Sequence, residues 1–403
     1  MVIGIIGAGA SGMAAALTAS EHENVQVLLF ERQARVGRKL QATGNGRCNL
    51  TNTHADIGGL HGEDAGFSKF AISQFGVTDT LRWFEELGLY TVEEDNGRVY
   101  PYSDQANSVV DILRFALMRD NIQLITGFEV AKAKKTAEGF RIEGNGEVYS
   151  CDKLIIACGG LAGTKLGGSM SGYQLLRSFG HRMTRLRPSL VQLRSSWVGC
   201  AALKGVRAQC RIRVLNGDSV HAESLGELQF TEYGLSGPVV FEVSRDTCCR
   251  KGNWHCILDF LPDMDGKTLF SLLEKRRTGN LLTDELFTGI LHNRLGRVLT
   301  QAVGIRSGIA IASLRDDEFR GAVDVAKSLD VVITEPLGMD HAQVTAGGAV
   351  TDEFDPQTME SRITPGLFAC GEVLDVDGDC GGYNLQWAWS SGRLAGQSAG
   401  VEK

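Results

Sequence analysis

Residues 2–31 read VIGIIGAGASGMAAALTASEHENVQVLLFE. A short apolar run ends in a glycine-rich turn, an Ala-rich stretch follows over residues 13–19, and a second apolar run covers residues 25–30. That order is strand, turn, helix, strand, and uninterrupted apolar runs belong to parallel strands buried on both faces. Within the turn, Gly7-x-Gly9-x-x-Gly12 has the spacing of a dinucleotide fingerprint. Gly7 permits the tight turn, Gly9 lets the backbone approach a pyrophosphate, and Gly12 lets helix and strand pack closely. The helix start then offers unpaired N–H groups and a positive dipole end to phosphates. Glu31 closes the second run, where a carboxylate accepts both ribose hydroxyls, so FAD or NAD is favoured over a 2′-phosphorylated cofactor.

Residues 31–53, ERQARVGRKLQATGNGRCNLTN and one residue more, are polar and glycine-rich, and they predict a long functional loop without helix or strand. An NAD dehydrogenase normally continues into a regular helix here. A basic extended loop suits a longer reach along FAD, past its diphosphate toward the flavin. Farther out, Phe70, Phe75, Leu81, Phe84 and Leu87 predict a helix over 67–87, and Asn96-Gly97 predicts a hairpin. A helix is expected near 106–119, then strands over 122–151 with a second hairpin at Asn145-Gly146, then a buried strand in KLIIACGG, residues 153–160.

Pro188 marks a change of style. Residues 189–262 alternate in short runs, the habit of an antiparallel sheet or barrel, and residues 263–335 are mostly helical with polar faces. The glycine-rich style then returns. The expected organisation is one nucleotide-binding domain, 1–188 with 336–403, interrupted by a β-rich insert (189–262) and a helical insert (263–335).

Composition narrows the function. Lys+Arg 41 against Asp+Glu 48 gives a net charge of −7, unfavourable for wrapping nucleic acid or lying on an anionic membrane. No apolar run approaches the roughly 18 residues of a membrane span, and no basic segment precedes the first strand, so a secretory signal is not expected. The ten cysteines form no C-x-x-C pair and read as reduced thiols of a cytoplasmic protein. The 50 Gly against 7 Pro point to tight strand-to-helix turns and close backbone approach to a ligand. The eight histidines lack paired metal-ligand spacing, and no metal site is expected. Oligomeric state is left open.

Three motifs carry a resemblance: GIIGAGASG with FERQARVGRKLQATGNGRCNLTN, LIIACGG, and PGLFACGEVLDVDGDCGGYNLQWAWSSGRLAG. Together they resemble the HI0933-type flavoproteins (the BaiN/aminoacetone-oxidase-like group) of the two-dinucleotide-binding-domain superfamily. The resemblance implies an α/β, FAD-binding Rossmann-like domain interrupted by a β-barrel-like and a small helical insert. It further implies that Gly7, Ala8, Gly9, Ser11 and Gly12 hold the diphosphate and Glu31 the adenosine ribose. Arg32, Arg38 and Lys39 would line the adenine-to-diphosphate stretch, and Val130 would meet the adenine through its backbone. Gly44, Asn45, Gly46 and Asn49 would lie against the isoalloxazine, and Gly371, Glu372, Asp379, Asn384 and Leu385 would complete the ribityl and ring site. The chain departs from the family at Ser171-Gly172-Tyr173, where an Asp-Gly often precedes the tyrosine.

A helical run over 384–396 follows Gly381-Gly382, so a helix N-terminus would face the pyrimidine edge of the flavin, where reduction places negative charge. The implied activity is an FAD-dependent oxidoreductase. The favoured form is an NAD(P)H-linked reductase of C=C bonds conjugated to a ketone in a 3-oxo-Δ4 or Δ6 steroid- or bile-acid-like small molecule. An aminoacetone-type amine oxidase using oxygen is the alternative, and a flavin-dependent methyltransferase, needing a thiol such as Cys48 over the flavin, is a second. Only one complete fingerprint is present, so a nicotinamide would visit transiently. Trp387 and Trp389 are expected to pack, Cys48 to be structural, and Arg182, Arg185 and Arg187 to be solvated or to meet a substrate carboxylate. The catalytic acid is not legible; Tyr173 and Tyr383 are the candidates.

Overall fold

In the computed structural model, which describes residues 1–64 and 66–402, Val2–Ile6 (β1) is the central strand of a five-stranded parallel sheet. Gln26–Glu31 (β2) and Ile122–Thr126 (β3) extend it on one side, and Lys153–Ile156 (β4) and Leu367–Ala369 (β5) on the other. The register runs Ile3 against Lys153, Ile3 against Val27 and Leu154 against Leu367. Ile3, Ile5, Leu154, Ile155 and Leu367 are wholly buried, as strands of a parallel sheet with both faces covered must be.

The helix after the fingerprint is Ala10–Ala19 (α1), and the last helix is Tyr383–Gly400 (α2). Gly392 and Gly396 bring them together: a Cβ at either would lie 2.3 Å from the backbone oxygen of Ser11 or Ala15. Residues four apart share one helix face, so this glycine stripe lets the two backbones touch. Trp387 and Trp389 are buried in the same core, the Trp389 indole N–H donating to the Leu50 carbonyl at 2.9 Å; packing is their role.

Both expected hairpins form. Gly139–Gly144 and Glu147–Cys151 pair across Asn145-Gly146, both at positive φ, the pattern of a type I′ turn; Thr91–Glu93 pairs with Arg98–Pro101 around Asn96. Two expectations are corrected. The helix over 67–87 is two, Lys69–Gln74 and Val77–Glu86, because Phe75 leaves the helical conformation and the Asp79 carboxylate accepts from the Gly76 N–H at 3.2 Å, starting a new helix. Residues 31–53 are not all loop: Gly37, at φ 67°, opens a short helix over Arg38–Ala42, and Thr51–Asn52 pairs with Arg98-Val99.

The chain divides into two units, Met1–Arg187 with Gln343–Lys403, and Pro188–Ala342. In the second, six strands close a barrel in the order Leu193–Ser195, Gly234–Ser236, Ser219–Thr231, Arg207–Asn216, Trp254–Asp259 and Leu329–Pro336. The expected division of the insert at residue 262 is therefore corrected. Leu329–Pro336 pairs with both Trp254–Asp259 and Leu193–Ser195, so a strand beyond the helices is needed to leave the barrel without a free edge. Its alternation puts Leu329, Val331 and Ile333 inside. They share one core with Leu269, Leu299 and Phe319 of the helices Gly266–Glu274, Asn293–Ala302 and Asp316–Lys327. For the same reason the return to the first unit falls at Gln343, not at 336. Among the described residues, no helix is long and apolar enough to cross a membrane.

Candidate functional site

The sheet order changes direction between β1 and β4, and ligands of open α/β sheets bind outside the carboxyl ends of the strands at such a point. The fingerprint turn leaves β1 there. A Cβ at Gly12 would stand 1.8 Å from the Gly7 carbonyl oxygen, and one at Gly7 would stand 2.4 Å from that of Ala157, just past β4. Gly9 differs: nothing lies within 4 Å of its Cβ direction, and its φ of −83° is one any residue adopts. Its smallness serves something outside the protein fold. Gly371, just past β5, abuts the Ser11 hydroxyl and donates its N–H to Ser391 Oγ of α2 at 3.0 Å. Gly7, Ala8, Gly9, Ser11, Gly12 and Gly371 are thereby collected from both ends of the chain.

Glu31 ends β2 with its carboxylate turned back on the turn. Oε2 accepts from the Ala8 N–H at 3.0 Å and Oε1 from the Gln33 N–H at 2.9 Å, leaving further acceptor capacity on both oxygens. The chain leaving β3 docks on the same end, the Phe128 N–H donating to the Glu31 carbonyl at 3.0 Å. Two residues on, the buried Val130 begins the strand Val130–Thr136, which is otherwise exposed except at Ala133. Arg38 donates to Gln33 Oε1 at 3.0 Å, and Arg32 donates to the Gly167 carbonyl, tying down the segment Thr164–Leu166.

Lys39 reaches a carboxylate from the far end of the chain. Its Nζ is 2.8 Å from Glu372 Oε2, and Glu372 Oε1 accepts from the Thr345 N–H at 2.8 Å. Thr345 Oγ1 in turn accepts from the Ala162 N–H at 2.9 Å. Lys39 thus meets residues from the last third of the chain, whereas Arg38 bonds Gln33 and Arg32 bonds Gly167.

In the loop 44–49, Gly44, Asn45, Gly46 and Cys48 all take positive φ, winding the backbone tightly. Arg47 points away: it pairs with Glu94 and Asp104 and lies over the Tyr100 ring, 4.0 Å from its centroid. Cys48 is fully buried, and burial pushes its thiol up to about 12. A thiol held protonated by burial weighs against the methyltransferase alternative. Asn49 is buried with Oδ1 unpartnered. A buried acceptor left unsatisfied costs about 1–3 kcal/mol, and this one sits in the segment expected against the flavin.

At the start of α2, Gly382 takes φ 110° with its Cβ direction 2.4 Å from the Thr51 carbonyl group, so only glycine fits. The Asn384 side chain is used on its own loop: Oδ1 accepts from the Gly378 N–H at 2.8 Å, and Nδ2 donates to the Gly378 and Asp379 carbonyls at 2.7 and 3.3 Å. It shapes the loop. Leu385 packs on the core. Asp379 Oδ1 lies 2.7 Å from His61 Nε2.

The remaining candidates differ in their surroundings. Tyr173 is wholly buried, and burial raises its phenol. Tyr383 packs against Gly59 and donates to the His54 carbonyl at 3.3 Å; burial, then Asp379, pushes its phenol up. Arg182 Nε lies 2.6 Å from Glu353 Oε1, and its backbone N–H donates to Oε2 at 2.9 Å, so the carboxylate it meets is the protein's own.

FAD fits these residues. An open approach at Gly9, spare acceptors on Glu31, an orphaned acceptor on Asn49 and a glycine-capped helix start match the diphosphate, ribose and ring ends of one molecule. Two members of the neighbourhood, His61 and Thr345, escape a sequence reading, because each is placed by a partner far along the chain and neither stands in a motif.

The HI0933-like protein Rossmann domain matches residues 1–398, and the chain belongs to this family of Rossmann-type FAD-binding proteins. It is 40% identical over 405 residues to the 3-dehydro-bile acid delta(4,6)-reductase of Clostridium scindens, covering 98% of either chain. It is 32% identical over 390 residues to the ribosomal RNA dihydrouridine synthase of Escherichia coli, covering 96% of this chain and 95% of that one. A flavocytochrome c3 fumarate reductase in an open conformation aligns with a TM-score of 0.47 at 16% identity, over 99% of this chain and 78% of the other.

Proposed function

We propose that this HI0933-like protein is an FAD-dependent reductase that saturates a C=C bond conjugated to a ketone in a steroid- or bile-acid-like small molecule, with NAD(P)H as a transient electron donor. The observation carrying the substrate class is the 40% identity to a bile-acid reductase along 98% of both chains. FAD, when bound, supplies hydride chemistry. The protein supplies position and charge. The N–H groups at the start of α1 hold the diphosphate beside Gly9, and the spare acceptors of Glu31 hold the ribose hydroxyls. Asn49 Oδ1, an acceptor with no donor among the described residues, would accept an N–H of the bound ring, and the first turn of α2 would stabilise negative charge there. With one complete fingerprint, the nicotinamide has no second preformed Rossmann site and visits the flavin transiently. All ten cysteines are free, in keeping with the reducing cytoplasm we assign as its setting.

A second reading comes from the dihydrouridine synthase relative. The uracil C5=C6 bond is conjugated to a carbonyl, so its saturation is the same chemistry on a different carrier. The net charge of −7 weighs against an RNA substrate.

The test is anaerobic stopped-flow on the purified yellow protein, with the released cofactor identified by mass. Flavin bleaching by NADH or NADPH, then reoxidation by a 3-oxo-Δ4 bile acid and not by a uridine-containing oligoribonucleotide, is the expected result. Reoxidation by oxygen alone transfers the assignment to an oxidase.

A further inference from the structure

We infer that His61, oriented by Asp379, is the acid that protonates the carbon α to the carbonyl, an inference that rests on the reductase reading. His61 lies on the two-residue strand Leu60–His61, antiparallel to Asp377–Gly378, with Asp377 opposite His61 and Gly378 opposite Leu60. The ribbon is fixed at several points. The Asp379 N–H donates to the Gly59 carbonyl at 2.9 Å, and Asn384, in the first turn of α2, clamps Gly378 from both sides. The imidazole therefore stands beside the helix start that receives charge at the ring.

The pair has the geometry of a charge-assisted hydrogen bond, 2.7 Å from Nε2 to Oδ1. Both side chains stay accessible, 29% and 48% exposed. With Nε2–H donated to the carboxylate, the tautomer is set. A proton on Nδ1 is then the one presented outward, and Nδ1 has no hydrogen bond to any described residue. The groups facing the ring are Asp379, the cross-strand Asp377 and, across the ribbon, Asp375, which accepts from the Glu63 N–H at 3.2 Å; Asp379 and Asp56 both act on the Tyr383 phenol. By contrast, Tyr173 and Cys48 are buried, the Tyr383 phenol is turned to a carbonyl, and Arg182 is held by Glu353.

The step balances. Reduced FAD, when bound, would supply a hydride with its electron pair to the β-carbon and be left oxidised, the C=C π pair moving onto the α-carbon and carbonyl oxygen. His61 Nδ1 gives its proton to the α-carbon, and the neutral imidazole regains one from solvent. Asp379 acts through His61 and is a positioning residue.

The experiment uses holoenzyme reduced anaerobically with dithionite, so that no nicotinamide is involved, and mixed with a 3-oxo-Δ4 bile acid. His61→Gln is expected to retain one FAD per chain and the wild-type flavin spectrum, while enone-driven reoxidation slows by about 100-fold or more. Its dependence on steroid concentration should stay near wild type. The alkaline fall in the wild-type pH profile should disappear, and imidazole should speed His61→Ala. Wild-type rates and pH profile in a fully loaded His61→Gln overturn the inference alone. So does loss of FAD from both variants, which would make His61 a cofactor-holding residue. If wild-type reduced enzyme is not reoxidised by the enone while the flavin cycles with other oxidants, the reductase reading falls and the inference with it.

Discussion

Glycine does different work in the two units. In the first, Gly12, Gly392 and Gly396 are pressed against backbone oxygens of α1 or of the turn before it, where a Cβ would lie 1.8–2.3 Å away. In the second, Gly205, Gly217, Gly289, Gly304 and Gly308 all take positive φ with nothing within 4 Å of their Cβ directions. The division is not absolute: the barrel unit has crowded glycines, Gly234 and Gly237, where its strands lie close, and the first unit has open turn glycines of its own, such as Gly127 and Gly146. The lesson is that an excess of one residue type has two physical origins. A turn glycine answers a local dihedral demand; a packing glycine answers a neighbour that the local sequence does not contain.

The sharpest way to break this contrast is Gly12→Ala. A methyl group 1.8 Å from the Gly7 oxygen meets backbone that cannot step aside, so a loss of about 3 kcal/mol or more is expected in denaturant unfolding, together with loss of FAD. Gly392→Ala comes next, near 2–3 kcal/mol, despite the better helix propensity of alanine; unchanged stability would mean that α1 and α2 separate readily. Gly9→Ala sharpens the contrast in a different direction. Its Cβ enters open space on ordinary backbone, so the melting temperature of the apoprotein should hold while FAD affinity drops by about tenfold or more, a cost of about 1.4 kcal/mol, read by fluorescence titration. Gly289→Ala in the barrel unit should cost only about 1 kcal/mol, the strain of a left-handed alanine, with FAD binding untouched.

A pH test separates the units by another route. His181 of the first unit is buried, its Nδ1 3.1 Å from Glu353, its Nε2 2.9 Å from Ser361 Oγ, and its ring stacked on Phe354. Burial lowers its pKa below the ordinary value, overriding the Glu353 contact. The unfolded chain therefore binds a proton before the folded one does, and stability falls as pH drops below about 6.5. His181→Gln should flatten that slope in chemical denaturation. The barrel's His255, paired with Asp330 at 2.9 Å, is more than a third exposed, and His255→Gln should cost little stability.

Much of the first unit was legible because its signals are local. Periodicity and turn chemistry are written in consecutive residues, which is why β1, α1, β2, both Asn-Gly hairpins and the helix after Gly381-Gly382 stand where their sequences place them. The helix starts at Gly37 and Gly76 are not legible, because a single glycine signals a cap only once its partners are known. The strand Leu329–Pro336 was assigned to a helical piece for a related reason: eight residues do not reveal that a barrel far upstream lacks its closing edge.

From its residues alone the chain specified a dinucleotide turn, an acidic residue closing the second strand and a flavin-family signature at either end. Folding alone decided that Lys39 meets Glu372 across 333 residues, that His61 meets Asp379 across 318, and that Asn384 turns onto its own loop. The reason is physical. Dihedral preference and hydrophobic period act over a few residues, whereas the meeting of two side chains from distant segments depends on how closely the helices and strands between them pack, and here that closeness is set by backbone touching backbone at glycine.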